Sequence, residues 1–371
     1  MNLSNTTQTL DMGPGVIAQS SVKGGPAFIL SASEWFTIQT YVINALALPT
    51  TDATFKTLLG SGAPGDMTPF KPLISAYGTI NTHVTSWQTD TFPKSVSLAS
   101  DIYNYAQQAP IYYAPILPLA KKLTANPDDK EAKDELTAIL GVLSKSASSH
   151  HDKAKEVAEK IQTFATQTQA DKVVLNGSDG KGGLQKEYKD KYGESSEDVI
   201  RLSKEIEAQK LVLKAANEEY DHDVIVAATT PTYAWVWPFG TVAAAIVAGV
   251  YGDKAVKALE RVRAAQQQIN TMSAELAADA QLIINITTAT SSITDILGKI
   301  EAALPIIQKI QGVWGAISDD LNNIIQTIDT NIAEALPIIM NLGVQTAINE
   351  WTEVGDLAQA YRLHAYVTVQ K

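Results

Sequence analysis

The most regular pattern in the chain is a heptad of apolar positions between residues 269 and 342. One row runs Ile269, Leu276, Ile283, Thr290, Leu297, Leu304, Gln311, Ser318, Ile325, Ile332 and Ile339. The other runs Met272, Asp279, Ile286, Ile293, Ile300, Ile307, Trp314, Leu321, Ile328, Ala335 and Leu342. Only Thr290, Gln311, Ser318 and Asp279 are not apolar, which predicts a long helix, or collinear helices, packed in a coiled-coil-like seam of about 110 Å. Pro305 and Pro337, each inside the phrase Ala-Leu-Pro-Ile-Ile, predict kinks or helix starts. A shorter seam precedes it, through Val199, Leu202, Ile206, Leu213, Ala216 and Tyr220, with Gln209 its polar member.

Upstream, Ser31-Ala-Ser-Glu34 is a capping-box signature for a helix through Trp35, Ile38, Val42 and Leu46 that Pro49 ends. Gly60 to Pro72 reads as a break. Helix is predicted from about Leu73 to Gln108, kinked or restarted at Pro93. Asn126-Pro-Asp-Asp129 reads as a turn whose carboxylates favour the start of a long helix from about Asp129 to Val174. On that helix Lys155/Glu159 and Glu156/Lys160 are spaced for exposed ion pairs. Gly177 to Gly183 breaks it, and the helical pattern resumes from Ser195. No stretch alternates as a strand over useful length, with the β-branched Val224–Thr230 and Tyr366–Val369 as the candidate exceptions. The predicted class is all-α: an elongated bundle of long antiparallel helices with a hydrophobic head insertion, in which Val224–Thr230 leaves room for a small β-tongue.

That insertion is the second strong signal. Val224 to Gly252 carries no charged side chain, and as a helix its core, Ala234–Gly252, spans roughly 28 Å, close to the hydrocarbon thickness of a bilayer. Tyr233, Trp235, Trp237 and Phe239 mark one end and Tyr251 the other, where amphipathic rings sit at a membrane interface. Ala244-x-x-x-Ala248 and Ala245-x-x-x-Gly249 have the small-residue spacing that lets membrane helices approach closely. A core helix of a large bundle can also be apolar all round, but the length, the missing charges and the aromatic ends favour membrane contact. The residues expected to enter lipid are Val224, Val226, Tyr233, Trp235, Val236, Trp237, Phe239, Val242, Ile246, Val247, Val250 and Tyr251. Candidate hinges are Pro231, Pro238, Gly240 and Gly252. The expected organisation is a flexible N-terminal arm (1–30), a first helical tail part (31–223), the membrane-inserting head (224–252) and a second helical tail part (253–371).

Composition narrows the chemistry. The 371 residues carry a net charge of −11 without a basic stripe, which argues against nucleic acid and against steering to anionic lipid. The chain has no cysteine, so disulfides, thiolate metal sites and cysteine nucleophiles are excluded. The first residues show no charged stretch followed by an apolar one, so no Sec-type leader is read there. HExxH, GxSxG, EF-hand and Walker A patterns are absent, and no catalytic, cofactor or metal site is expected. His150-His151-Asp152 reads as solvated helix surface, since adjacent histidines point about 100° apart and cannot share one metal. Asp221-His222-Asp223 reads as a polar collar beside the apolar run, or as a pH-sensitive hinge.

The stretch from His83 through Trp87, Asp90 and Pro93, then Asp101-Ile-Tyr-Asn-Tyr105 and Tyr112-Tyr113, resembles the haemolysin BL-type proteins, helical pore-forming toxins related to cytolysin A. The order of parts over roughly residues 33–350 is similar too: N-terminal helices, a long helix, a hydrophobic head, a second long helix and closing helices. The resemblance implies a secreted, soluble subunit, not an enzyme. It shelters its head in water, inserts it into a target-cell bilayer, and assembles in a ring with itself or with homologous toxin subunits. The competing reading is a single-span anchored coiled-coil scaffold or receptor, which would need detergent for solubility.

Overall fold

The structure is a computed structural model. It describes residues 45–59, 63–178, 181–192 and 307–364, with pieces at 12–14, 21–22, 25–26, 38, 41–42, 204, 208 and 305. The described residues are overwhelmingly helical, as the periodicity predicts. The helices are α1 (Asp52–Leu59), α2 (Lys71–Ser86), α3 (Phe92–Tyr113), α4 (Ile116–Ala125), α5 (Lys130–Asn176), α6 (Gly183–Tyr192), α7 (described over 307–330), α8 (Ile332–Met340) and α9 (Val344–His364). Among the described residues the only sheet is a two-residue antiparallel ladder, Ser21–Val22 with Gly25–Pro26. The chain divides into two compact units. Unit one holds residues 1–29, 94–159 and 303–362; unit two holds 30–93, 160–302 and 363–371.

Local chemistry explains the breaks. Before Pro93 the chain forms a π-helical turn, Trp87–Thr91, between α2 and α3. Proline lacks an N–H and its ring crowds the carbonyl four residues back, and a wider turn absorbs both faults without ending the helix. At the start of α5, Asp129 Oδ1 accepts the Ala132 N–H at 3.0 Å, an N-cap. That bond, followed by Lys122, holds its carboxyl below the usual range. At the other end Gly177 and Gly183 have φ of +76° and +65°. A Cβ on Gly183 would lie 2.7 Å from the Gly177 nitrogen, so only glycine fits this tight corner. α6 begins there, earlier than the resumption read at Ser195.

α5 carries a seam that the sequence reading does not pick out. Leu136, Leu140, Leu143, Ala147, His150, Ala154, Val157, Ile161, Phe164, Thr168, Asp171 and Leu175 are all buried and step three or four apart, the coiled-coil period. In unit one α7 packs on it antiparallel. Going up α5, Lys133 meets Asp329, Ser144 meets Ser318 and Asn322, and His151 meets Gln311. The Ser318 hydroxyl donates to the Ser144 carbonyl at 3.3 Å, and the Ser144 hydroxyl donates to Asn322 Oδ1 at 2.7 Å, with the Ser318 carbonyl farther off at 3.4 Å.

The α7 seam differs in register from the sequence reading. The row Ile307, Trp314, Leu321, Ile328, Ala335 and Leu342 is buried as expected. The companion row is Ile310, Ile317 and Ile324, one residue before Gln311, Ser318 and Ile325, of which Gln311 and Ile325 are only half-buried. An apolar residue is available at each shifted position, so Gln311 moves to the rim, while Ser318 stays buried with its hydroxyl bonded to the Ser144 carbonyl. The break expected at Pro337 also falls elsewhere, while the residues flanking Pro305 lie outside the described ones. It sits at Asn331, whose φ and ψ are −154° and 87°, while Pro337 lies inside α8.

Candidate functional site

The residues expected to enter lipid, from Val224 to Tyr251, lie outside the described residues, as do the candidate hinges Pro231, Pro238, Gly240 and Gly252 and the Asp221-His222-Asp223 collar. Among the described residues no helix is long and apolar enough to cross a membrane, and no group of three or more His, Asp or Glu side chains could hold a metal ion. The structure instead shows what the stretch from His83 to Tyr113 does: its aromatic and polar side chains fasten the helices within each unit.

In unit two, His83 Nδ1 lies 2.8 Å from Asp171 Oδ2. Asp171 occupies a seam position of α5 and is 5% exposed; burial raises its pKa and His83 pulls it back down. Tyr41 is also buried, and its phenol is pushed far up, by burial first and then by Asp171. The Thr168 hydroxyl, one turn before Asp171, has no hydrogen-bond partner among the described residues. Trp87 packs on Phe164 with ring centroids 4.4 Å apart. Lys160 bonds Asp90 across from α5, so it serves a long-range pair rather than the helical pair expected with Glu156. A second knot joins Phe55, Phe70 and Tyr188, whose hydroxyl donates to the Pro69 carbonyl at 2.7 Å.

In unit one, Tyr105 is a hub. Its ring meets Trp314 edge-on at 4.7 Å, Trp351 at 4.9 Å, Tyr113 at 6.5 Å and His150 at 5.8 Å. Trp314 and Trp351 stack at 4.7 Å. Tyr113 donates its hydroxyl to the Met12 carbonyl at 3.0 Å, so Tyr105, 2.8 Å away, must donate to Tyr113. Trp351 Nε1 donates to the same carbonyl at 2.8 Å. Burial and then Tyr113 hold the Tyr105 phenol well above its ordinary range. Elsewhere in this unit, Lys94 bonds Glu156 and Lys153 bonds Asp101 at 2.6 Å.

His150 corrects the expectation of a solvated His150-His151 surface. It is 9% exposed, 4.7 Å from the Trp314 ring centroid, with Nε2 3.3 Å from the Ser146 hydroxyl and Nδ1 without a partner among the described residues. The 100° step between neighbours that spoils a shared metal site also turns one ring inward while His151 stays at the rim. Burial lowers the His150 pKa to about 4; Asp101 opposes this and Lys153 adds to it. Met12 and Trp351 are partners of the tyrosines that sequence reasoning does not supply. For Trp351 a signal exists, since Val344, Ala347, Trp351, Val354, Ala358 and Tyr361 are spaced three and four apart. A backbone carbonyl in a polar arm leaves no such signal.

Comparison with known proteins places this geometry. The family model of Bacillus haemolytic enterotoxin (HBL) matches residues 31–215. The pesticidal crystal protein Cry6Ba of Bacillus thuringiensis is 26% identical over 374 aligned residues, covering 91% of this chain and 89% of that protein. Among solved structures, the HblL1 toxin component of Bacillus cereus superposes with a TM-score of 0.65 at 16% identity, over 97% of this chain and 100% of that one. Soluble SmhA, from the tripartite α-pore-forming toxin Smh of Serratia marcescens, gives 0.63 at 11% identity, over 99% and 100%. At those identities the structural likeness shows a shared fold.

Proposed function

Because residues 31–215 belong to the Bacillus haemolytic enterotoxin (HBL) family, we propose that this protein is a pore-forming cytolysin subunit, soluble when released, whose residues 224–252 enter a target membrane. The observation that carries this is the uncharged run Val224–Gly252, set in an acidic, helical chain between the family-matched residues and the antiparallel return helix α7. Leaving water for lipid stabilises the apolar run by about 25 cal/mol per Å² of surface buried. Its backbone must pair internally once there, so it becomes one spanning helix or a short hairpin; it is too short for two helices of about 20 residues each. Pro231, Pro238, Gly240 and Gly252 supply the bends such a movement requires.

The likeness to a subunit of a tripartite toxin supports action with partner subunits in a ring. Dye release from liposomes, with this chain alone and with subunits encoded beside it, tests the reading. Deleting 233–252 leaves a folded helical protein that releases no dye. Equal dye release by the deletion variant would refute the head assignment. A requirement for detergent to keep the intact chain in solution would instead support the anchored-scaffold reading.

A further inference from the structure

We propose that Met12–Pro14 is a strap closing the aromatic core of unit one, and that His150 is the acid-sensitive pin that holds it shut. Three residues of a polar arm lie buried, Met12 at 2% exposure, and the fastening is long-range: the Met12 carbonyl takes hydrogen bonds from Tyr113 and from Trp351. The relay has one direction. Tyr105 donates to Tyr113, Tyr113 donates to Met12, and the Tyr105 ring lies edge-on against the imidazole of His150. Movement of that imidazole therefore acts on the first link of the chain that ends at the strap.

Neutral imidazole fits its place; imidazolium does not. The charged ring has two N–H donors, and this site offers a hydroxyl to one and no partner among the described residues to the other. The surrounding charges do not supply the deficit. On α3 the carboxylate that acts on it, Asp101, is already bonded to Lys153, and Lys153 itself stands on the histidine's own helix with the wrong sign. α7 and α9 face the site with Trp314 and Trp351, which do not titrate. A proton taken up at mildly acidic pH thus favours the arrangement in which His150 swings to water, Tyr105 follows, and the strap is released. This inference stands apart from the membrane reading, since it concerns only an opening within unit one.

Hydrogen exchange of the full-length chain, read by mass spectrometry on the peptide containing residues 12–14 and corrected for intrinsic rates, tests it. In the native chain, protection falls by roughly two orders of magnitude between pH 7.5 and 4.5 as the released histidine regains its ordinary affinity for protons. His150→Gln and His150→Phe hold protection within about threefold over the same range. Tyr113→Phe, which cuts the relay without touching the imidazole, weakens protection about fivefold or more already at pH 7.5. Unchanged protection in the native chain at pH 4.5, an equal acid loss in the His150 variants, or full protection in Tyr113→Phe would each overturn the proposal.

Discussion

Gly355→Ala is expected to destabilise the protein, although alanine is the better helix former. Gly355 lies inside α9, where alanine normally gains about 1 kcal/mol over glycine. Here a Cβ would lie 2.6 Å from the Cβ of Ala106 on α3. Carbon atoms rest about 3.5–4.0 Å apart, so the two helices would have to separate locally by about 1 Å. The obstructing atom is fixed to the backbone and cannot rotate away. Overpacking of this kind costs about 1–3 kcal/mol, which outweighs the helical gain and leaves a net loss of about 1 kcal/mol. Gly141 in α5 and Gly312 in α7 are the internal controls, because a Cβ there meets nothing within 4 Å. Gly141→Ala and Gly312→Ala are expected to stabilise by up to about 1 kcal/mol. Urea denaturation followed by circular dichroism measures all three, and a double-mutant cycle with Ala106→Gly isolates the contact. The cycle should return a coupling of about 2 kcal/mol, with Ala106→Gly rescuing Gly355→Ala. Stabilisation by Gly355→Ala equal to that of the controls would refute the close approach of α3 and α9.

Other consequences follow from the buried polar groups. His150 has its folded pKa lowered to about 4 from an ordinary 6.5, so its stabilising effect is complete above pH 6.5 and lost as pH falls toward 4. That amounts to about 3 kcal/mol, less whatever Trp314 returns by cation–π attraction; denaturation midpoints of the native chain should fall in this window and those of His150→Gln should not. Thr168→Val removes a buried hydroxyl that has no partner among the described residues while keeping the shape, so the melting temperature should hold or rise. Asp129→Ala removes the N-cap of α5 and should lower the melting temperature, whereas Asp129→Ser, which can still accept the Ala132 N–H, should recover most of it.

Much of the fold is legible in spacing. The long helix from 130, its glycine corner, the aliphatic helix over 307–330 and their antiparallel pairing all follow from period and punctuation. The register of α7 is ambiguous by one residue because Ile324 and Ile325 are adjacent and isoleucines stand in both candidate rows; only the burial of Ile310 and Ile317 decides between them. The seam of α5 is hard to see for a physical reason. His150, Thr168 and Asp171 interrupt its apolar row, and a polar residue in a seam looks like the end of one. Those same three residues are the most informative, since buried polar side chains can fix register. Spacing hides the pair Lys160–Asp90, because Glu156 stands four residues before Lys160 and offers a nearer partner on paper. It hides Lys94–Glu156 for the same reason, since Glu156 is already spoken for by that helical spacing. The strap at Met12 is illegible, because a carbonyl has the same signature in every residue.

The central claim is that Val224–Gly252 passes from water into lipid, and a single reporter in that run tests it most directly. The chain has no cysteine, so a lone Val247→Cys carries an environment-sensitive dye at one site only. Asp329→Cys, on the exposed face of α7, serves as reference. With liposomes and the partner subunits present, the dye at 247 should brighten and shift to the blue, and a quencher confined to the acyl chains should extinguish it, while the dye at 329 reports water throughout. Emission at 247 that stays that of an aqueous site, while the same mixture releases vesicle contents, would contradict the account.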